Sequence, residues 1–240
     1  VPSADDLPAR IDGVLAVLFL VFNEGYLASG PGSEPVRQDL TDEAIRLTRM
    51  TRDLMPQDGE VAGLLALMLL TEARRTARVS AAGELVTLDE QDRGAWDAAL
   101  IDEGHRLVGE RLASGAAPGR YQVLAAINAV HTSARDIRDT DWSQVIALYD
   151  QLMRLDNSPI VALNRAVAVA EIDGPEVALA AVDRLDGSLS GYHAYHATRA
   201  DLLRRLGRSQ ESRAAYDRAI ELAGNSAEIA YLTRRRDQLG

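Results

Sequence analysis

The sequence contains no cysteine and no lysine, and only 5% of its 240 residues are aromatic. Without cysteine, disulfides, thiolate nucleophiles and cysteine-ligated zinc or iron–sulfur clusters are excluded. All 26 basic residues are arginine, and 36 acidic residues outnumber them, so the net charge is −10. Binding nucleic acid or an anionic membrane through bulk charge needs a surplus of basic residues, which this composition does not supply. The few aromatic rings also leave little on which bases would stack.

Motifs that mark common enzyme classes are missing as well. The sequence has no glycine-rich phosphate loop followed by lysine, no Gly-x-Ser-x-Gly elbow, no dinucleotide-binding fingerprint and no His-Glu-x-x-His. We therefore expect a protein that is not an enzyme and that carries no cofactor and no metal ion.

Apolar residues recur at spacings of three and four almost throughout, which predicts an all-α fold. The apolar runs Val14–Phe22 and Val61–Leu70 are about half of the roughly 20 residues that a membrane span requires. We expect both runs to form buried core helices, and we expect no membrane contact. Helices are predicted at residues 7–28, 40–54, 59–79, 94–113, 119–136, 142–155, 159–172, 175–185, 192–206, 209–223 and 226–238.

The C-terminal part of the chain shows a repeat of about 34 residues. Gly174 and Gly207 are 33 residues apart and each closes a predicted helix, while Tyr149 and Tyr216 are 67 apart, close to twice that period. Helical hairpins at this period are typical of tetratricopeptide repeats. The predicted fold is therefore a set of antiparallel helical hairpins, with an N-terminal helical lobe at 1–139 and a right-handed, tetratricopeptide-like array at 140–240.

Several ordered blocks give the chain a family resemblance over essentially its whole length. The blocks are Val21–Tyr26, Gln91–Arg93, Tyr121-Gln122, Thr140–Trp142, Asn164–Ala168, Tyr192-His193, His196-Ala197 and Arg199–Arg208. Together they resemble the long C-terminal extension, described as tetratricopeptide-like, of one subgroup of bacterial extracytoplasmic-function sigma factors.

The resemblance implies a regulatory, protein-contacting domain that controls transcription initiation in the cytoplasm. In that family the extension follows region 2 and region 4, which bind core RNA polymerase and the promoter, and Val1-Pro2 resembles the junction after region 4. The implied partners are the region-2 and region-4 domains of the same polypeptide, and core polymerase. Because the sequence has no basic recognition helix-turn-helix, we expect no direct promoter binding by this chain.

A small-molecule sensor that switches attached sigma domains is the alternative function. Its predicted pocket consists of polar and aromatic residues from the resembling blocks: Asn23, Glu24, Tyr26, Arg93, Tyr121, Gln122 and His196. For Asn23, Glu24 and Tyr26 there is a competing, structural interpretation: they lie where a helix ends at Gly25 or in the following loop. Buried polar groups are normally satisfied by such local partners.

Three further polar residues, Asn164, Arg165 and Arg199, complete the candidate binding residues. With Asp201, they interrupt apolar helices of the repeat region. In a repeat array such residues either line the concave face that holds another chain or form Arg–carboxylate pairs that lock neighbouring helices together.

Three other clusters have structural and functional interpretations. His193 and His196 face one side of a helix but lack the additional ligands of a zinc site, so a structural role is favoured. The acidic stretch Asp89–Asp92 suits a solvated loop before a helix better than a catalytic carboxylate pair. Arg234–Arg236 suit either a solvated C-terminal helix face or contact with nucleic acid or another sigma domain.

Overall fold

The computed structural model describes residues 7–28, 36–80 and 84–239. Over these ranges the protein is all-α, as predicted, and the one β-type pairing is an isolated bridge between Val79 and Leu85. The junction predicted at Val1-Pro2 lies outside the described residues. The α-helices are α1 (Leu7–Tyr26), α2 (Gln38–Leu54), α3 (Gly59–Glu72), α4 (Arg75–Arg78), α5 (Ala98–Ala113), α6 (Arg120–Ser133), α7 (Trp142–Leu155), α8 (Pro159–Ile172), α9 (Pro175–Asp183), α10 (Asp186–Leu189), α11 (His193–Arg205), α12 (Ser209–Leu222) and α13 (Ser226–Asp237).

Side-chain caps explain where several of these helices begin. Asp58 accepts hydrogen bonds from the backbone N–H groups of Glu60 and Val61, and Asp97 caps the start of α5 in the same way. Ser158 caps α8, where Pro159 takes the first helical position and its missing N–H costs nothing. These residues satisfy donors that a helix N-terminus would otherwise leave unpaired.

Two glycines supply the turns between the helices of the repeat region. Gly174 and Gly207 have φ of 89° and 72°, a conformation that side chains disfavour, and each leads directly into a new helix. Gly224, which follows α12, does not have this conformation. That helix instead stops because Ala223 is extended, and Asn225 then caps α13.

The chain divides into two compact units. The first contains residues 7–28, 36–76 and 94–132, and the second contains residues 77–80, 84–93 and 133–239. The C-terminal part of the second unit begins at residue 133, near the boundary predicted at Thr140. The second unit also includes the irregular segment before α5, which was predicted to belong to the N-terminal lobe.

Helix α3 is the centre of the first unit. Every residue from Val61 to Glu72 is buried, which confirms the prediction of a core helix there. Its neighbours α1, α2 and α5 pack around it. A helix that is apolar on all sides must be covered on all sides, and three surrounding helices provide that cover.

Helix α1 differs from the prediction of a fully buried core helix. Leu15, Leu18 and Phe22 are buried against the first unit's core. The opposite face exposes large apolar side chains at helical spacing, with Val17 59% and Leu20 66% exposed. An apolar run does not report which side of a helix has neighbours, so the exposed face was not predictable from hydropathy.

In the second unit the helices pack as successive hairpins. α7 packs on α8, α8 on α9, and α11 on both α9 and α12, while α13 packs on α12. One continuous core joins them, from Leu163 of α8 to Leu232 of α13. Ser212 and Ala200, small and fully buried, mark the close approach of α12 to α11, where the Ser212 hydroxyl donates to the Ala200 carbonyl at 2.8 Å.

Candidate functional site

The ten predicted binding residues divide equally between the two units. Asn23, Glu24, Tyr26, Tyr121 and Gln122 belong to the first unit, and Arg93, Asn164, Arg165, His196 and Arg199 belong to the second. The predicted sensor pocket draws on both units and stays a prediction. Each group is therefore described within its own unit.

In the first unit, the block around Asn23 lies inside the last turns of α1. Asn23 is exposed and Glu24 is half-buried, while Gly25 is buried. Tyr26 stacks on Phe22, with ring centroids 6.1 Å apart and planes inclined by 18°. The helix continues past Gly25 to Tyr26, so this glycine does not end the helix in a left-handed turn.

Gly25 is required because α2 begins directly against it. A Cβ at this position would lie 2.7 Å from the backbone nitrogen of Thr41 and 2.8 Å from the carbonyl oxygen of Arg37. The Arg37 N–H also donates to the Gly25 carbonyl at 2.8 Å. The glycine therefore serves the α1–α2 junction through close backbone contact.

Tyr121 and Gln122 lie at the start of α6, where a carboxylate from α3 caps the helix. Glu60 accepts hydrogen bonds from the backbone N–H groups of Tyr121 at 3.0 Å and Gln122 at 3.2 Å. The ring of Tyr121 is buried and meets Phe19 of α1 edge to face, at a centroid distance of 5.5 Å. A negative charge is favoured at a helix N-terminus, so Glu60 orients and stabilises α6 from another helix.

Glycines permit this close approach. A Cβ on Gly63 would lie 2.6 Å from the backbone nitrogen of Gln122, and one on Gly119 would collide with the Glu60 carboxylate. Side chains on these residues would push α6 away from α3. The cluster is therefore a packing and capping site between helices.

Glu60 gives the first unit a dependence on pH. Burial raises the pKa of Glu60, against the opposing effect of the N–H donors of Tyr121 and Gln122. Between the two pKa values the folded state still holds a proton that the unfolded state has lost. The stabilising contribution is therefore full below pH 4.5, the ordinary pKa of the carboxyl group, and is lost as the pH rises through the raised pKa of the folded state.

We expect a Glu60→Gln variant to gain stability relative to wild type as the pH rises above 4.5, because the variant has no carboxyl group to ionise in the buried position. Urea unfolding of both proteins between about pH 4 and pH 7 measures the difference, with exposed Glu221→Gln as the control for removing one carboxylate. A difference between Glu60→Gln and wild type that does not change with pH would contradict the assignment.

In the second unit, two of the candidate arginines make the same contact in successive hairpins. Arg165 donates from Nε to Asp150 Oδ1 at 2.7 Å, and Arg199 donates from Nε to Asp183 Oδ1 at 2.8 Å. The two arginines are 34 residues apart and the two aspartates 33 apart. These pairs join α8 to α7 and α11 to α9, which favours the locking interpretation for both arginines.

A second set of ion pairs joins α8, α11 and α13 in order. Arg205 donates to Glu171 at 2.7 Å, and Arg235 donates to Asp201 at 3.2 Å. Each pair connects residues 34 positions apart. The repeated separation gives the helical array the same period in its contacts that sequence analysis found in its turns.

The remaining candidates of the second unit have simpler surroundings. Asn164 is exposed on α8. Arg93 donates to the carbonyl oxygen of Ala134 at 2.8 Å. His196 lies 2.8 Å from the carbonyl oxygen of Ser190, and His193 pairs with Glu228 of α13 at 3.2 Å, an interaction that raises the pKa of His193. Both histidines thus have structural partners.

A cleft of about 540 Å³ opens between α7, α8 and α9, and Arg165 is the candidate residue that lines it. Its walls combine aliphatic side chains with charges of both signs, among them Asp173, Glu176 and Arg184. A volume of this size is in the range of small-molecule sites. The cleft belongs entirely to the second unit.

Within the described ranges, no group of three or more His, Asp or Glu side chains is arranged to hold a metal ion. None of the helices described is both long and apolar enough to cross a membrane.

Sequence reasoning missed Glu60 and the aspartate partners of the arginines. Glu60 directly follows a capping Asp and a glycine, and nothing in that local pattern indicates a partner 61 residues away. For Asp150 and Asp183 a signal did exist, because their spacing repeats that of Arg165 and Arg199. Comparing charged pairs at the repeat period would have found them.

The chain is similar to a protein family and to a further protein whose descriptions state no activity. A family model described as a family of unknown function (DUF6596) matches residues 10–112, from α1 into α5. An uncharacterized protein of Rhizobium meliloti (strain 1021), R00370, is 46% identical over 238 residues. The alignment covers 99% of this chain but 56% of the relative, so the chain spans just over half of that protein's length. No solved structure matches the chain.

Proposed function

We propose that this chain is a non-enzymatic regulatory domain of an extracytoplasmic-function sigma factor, which acts by contacting the region-2 and region-4 domains or core RNA polymerase. The observation that carries the protein-contact part is the exposed apolar face of α1, where Val17 and Leu20 are 59% and 66% exposed. The Arg165–Asp150 and Arg199–Asp183 bridges lock successive hairpins together in the second unit. A regular array of helical hairpins stacked on a common core presents extended surfaces that bind other chains. The sigma-factor part rests on the ordered sequence blocks.

The tetratricopeptide-like assignment belongs to this proposal. It is supported by Gly174 and Gly207 at positive φ, by the small buried pair Ala200 and Ser212, and by the buried Tyr216 at the aromatic position of the repeat. The relative's greater length, of which 44% lies outside the alignment, is consistent with a domain that works within a longer polypeptide.

The exposed apolar face of α1 is the proposed contact with the sigma domains. Val14, Val17 and Leu20 project from one side of the helix and are 45%, 59% and 66% exposed. Adjacent apolar side chains that remain exposed mark interaction sites more often than isolated ones do. We assign this face to the region-2 and region-4 domains because they are the implied neighbours of this domain in one polypeptide.

Affinity capture tests the proposal. The tagged 240-residue chain is mixed with core polymerase and, separately, with purified region-2 and region-4 domains, and promoter DNA is tested by mobility shift. We expect retention of polymerase or of the sigma domains and no specific DNA shift.

A Val17→Asp, Leu20→Asp variant should weaken that retention about tenfold or more, as loss of a hot-spot contact does. Leu54→Asp is the matched control, because Leu54 is 82% exposed on a different helix. Tight sequence-specific DNA binding by the chain alone would overturn the proposal, and so would retention that is unaffected by the α1 variant.

The small-molecule sensor is the second candidate, and the cleft beside Arg165 is the observation that favours it. Arg165 and Arg184 would bind an anionic group of the ligand, and the aliphatic wall formed by Ile146, Val169 and Val177 would cover its apolar part. Thermal unfolding with a panel of small carboxylates tests this. A rise in the unfolding midpoint that Arg184→Ala removes would support the sensor, and no rise with any member would count against it.

A further inference from the structure

The acidic segment before α5 lies against the arginines of the last helix. Glu84 Oε2 is 3.4 Å from Arg234, and the carboxylate of Glu90 is 3.8 Å from both Arg234 and Arg235. All four residues belong to the second unit. We call residues 84–92 the acidic loop.

Other residues of the helical array orient the side chains of Arg234 and Arg235. Arg235 donates to Asp201 at 3.2 Å. The guanidinium of Arg234 lies over the ring of Tyr231, 5.7 Å from its centroid. Both guanidinium groups are therefore oriented by the helical array itself, whether or not the acidic loop is present.

Charge balance makes this surface a receptor for carboxylates. Arg204 and Arg235 both pair with the single carboxylate of Asp201, at 2.6 and 3.2 Å, and Arg234 is the neighbour of Arg235 on α13. The acidic loop brings two more carboxylates and completes the balance. Without the loop, the same surface would present two uncompensated positive charges in a chain that is otherwise strongly acidic.

The loop's own folding does not depend on its glutamates. The backbone N–H of Val86 donates to the carbonyl of Arg78 at 2.8 Å, and that of Ser80 donates to the backbone carbonyl of Glu84 at 2.8 Å, so main-chain bonds join residues 84–86 to residues 78–80. Gln91 donates to the Val86 carbonyl at 3.1 Å. The contacts to Arg234 and Arg235 are longer than these hydrogen bonds, and the glutamate side chains are 43% and 41% exposed.

Such exposed ion pairs contribute little individually and are screened by salt. The loop contacts the arginines mainly because it is covalently attached nearby, which gives its carboxylates a high effective concentration there. A segment from another protein that carries more carboxylates, or adds apolar contacts, has the means to replace it.

We propose that the Arg234–Arg235 face of α13 is a docking site for an acidic, extended segment of a partner protein, and that the acidic loop is an internal competitor for the site. The inference rests on the protein-contact part of the proposed function. It does not depend on which protein supplies the segment or on the α1 face.

Fluorescence anisotropy with a labelled peptide tests the inference on the chain alone. The peptide copies Glu84–Asp92, and a control peptide carries Gln and Asn in place of its acidic residues. Wild type should bind the acidic peptide weakly, and the Glu84→Gln, Glu90→Gln variant should bind it about tenfold more tightly, because the competitor has lost its charge.

Adding Arg234→Gln to that variant should remove the gain. Single substitution of Arg234, which is 38% exposed, preserves the more buried Arg235, and an unchanged unfolding midpoint shows that the fold survives. Arg218→Gln on α12 is the matched control, because Arg218 is exposed and pairs only locally with Glu221.

Three results would overturn the inference: equal affinity of wild type and the loop variant, binding of the neutral peptide as tight as that of the acidic one, or binding that survives Arg234→Gln. A single-stranded oligonucleotide is the fourth arm. If it binds the loop variant more tightly than the acidic peptide does, the arginines recognise phosphate and the acidic-partner inference is wrong. Failure in these arms leaves the polymerase and sigma-domain capture experiment unaffected, so the two proposals are tested separately.

Discussion

Gly25→Ala is expected to lower the free energy of unfolding by about 1–3 kcal/mol, the usual cost of forcing an extra carbon into a packed junction. The new Cβ would meet backbone atoms of Thr41 and Arg37 at 2.7 and 2.8 Å. Backbone does not rotate away as the end of a flexible side chain does, so α1 and α2 have to separate.

Gly13→Ala supplies a control within the same helix. Gly13 is exposed, and a Cβ there would meet nothing within 4 Å. Alanine is the better helix former, so this change should raise the stability by about 0.5–1 kcal/mol. If the α1–α2 junction is as described, urea unfolding shows a lower free energy of unfolding for Gly25→Ala and a higher one for Gly13→Ala. A stabilising effect of Gly25→Ala would contradict this description of the junction.

Tyr216→Ala should cost about 3–5 kcal/mol, as the removal of a buried aromatic ring from a core does. Tyr216 is 2% exposed and belongs to the core that joins α8, α9, α11 and α12. In the proposed tetratricopeptide-like repeat, it takes the position of the aromatic side chain between hairpins. Its loss should therefore weaken the whole second unit.

Tyr216→Phe separates the ring from its hydroxyl. Phenylalanine keeps the ring and removes only the polar group, so its cost should be at most about 0.5–1.5 kcal/mol, the usual net value of one hydrogen bond. Thermal unfolding followed by circular dichroism compares the two variants. Similar losses for Ala and Phe would mean that the hydroxyl, and not the filling of the space between hairpins, is what stabilises the array.

The helices of the second unit were predictable because Pro and Gly residues mark where several of them begin or end. Pro159, Pro175, Gly174 and Gly207 each impose a backbone conformation, and α7 and α8 have the bounds that were predicted. Their start and stop signals are local, so they can be read from a single sequence.

The segment after α3 was less predictable. A helix over 59–79 was expected, but α3 ends at Glu72, and α4 is a single turn that leads to the bridge between Val79 and Leu85. The residues around this break include no Pro and no Gly. Instead, contacts distant in sequence are involved: the Ala73 carbonyl accepts a hydrogen bond from Asp97, and Thr76 donates to the Ala95 carbonyl.

The candidate binding residues could also be selected from local sequence features, but their partners, which are distant in sequence, could not be predicted. Polarity within apolar helices drew attention to Arg165 and Arg199. Which carboxylates they meet depends on how hairpins stack, and only the structure places Asp150 and Asp183 opposite them. The acidic loop and Arg234–Arg235 were each recognised as charge clusters, but their contact across more than 140 residues was not foreseen.

Photo-cross-linking in the longer factor, assembled with core polymerase, tests the central claim most directly. Because the chain has no lysine, amine-reactive linkers have no side chain to react with, so a photoreactive benzoylphenylalanine is placed at Leu20 and, as control, at Leu54. Mass spectrometry then identifies the partners. We expect position 20 to cross-link to region 2, region 4 or a core subunit and position 54 not to do so. The absence of any such product at position 20, with the factor active and assembled, would contradict the account.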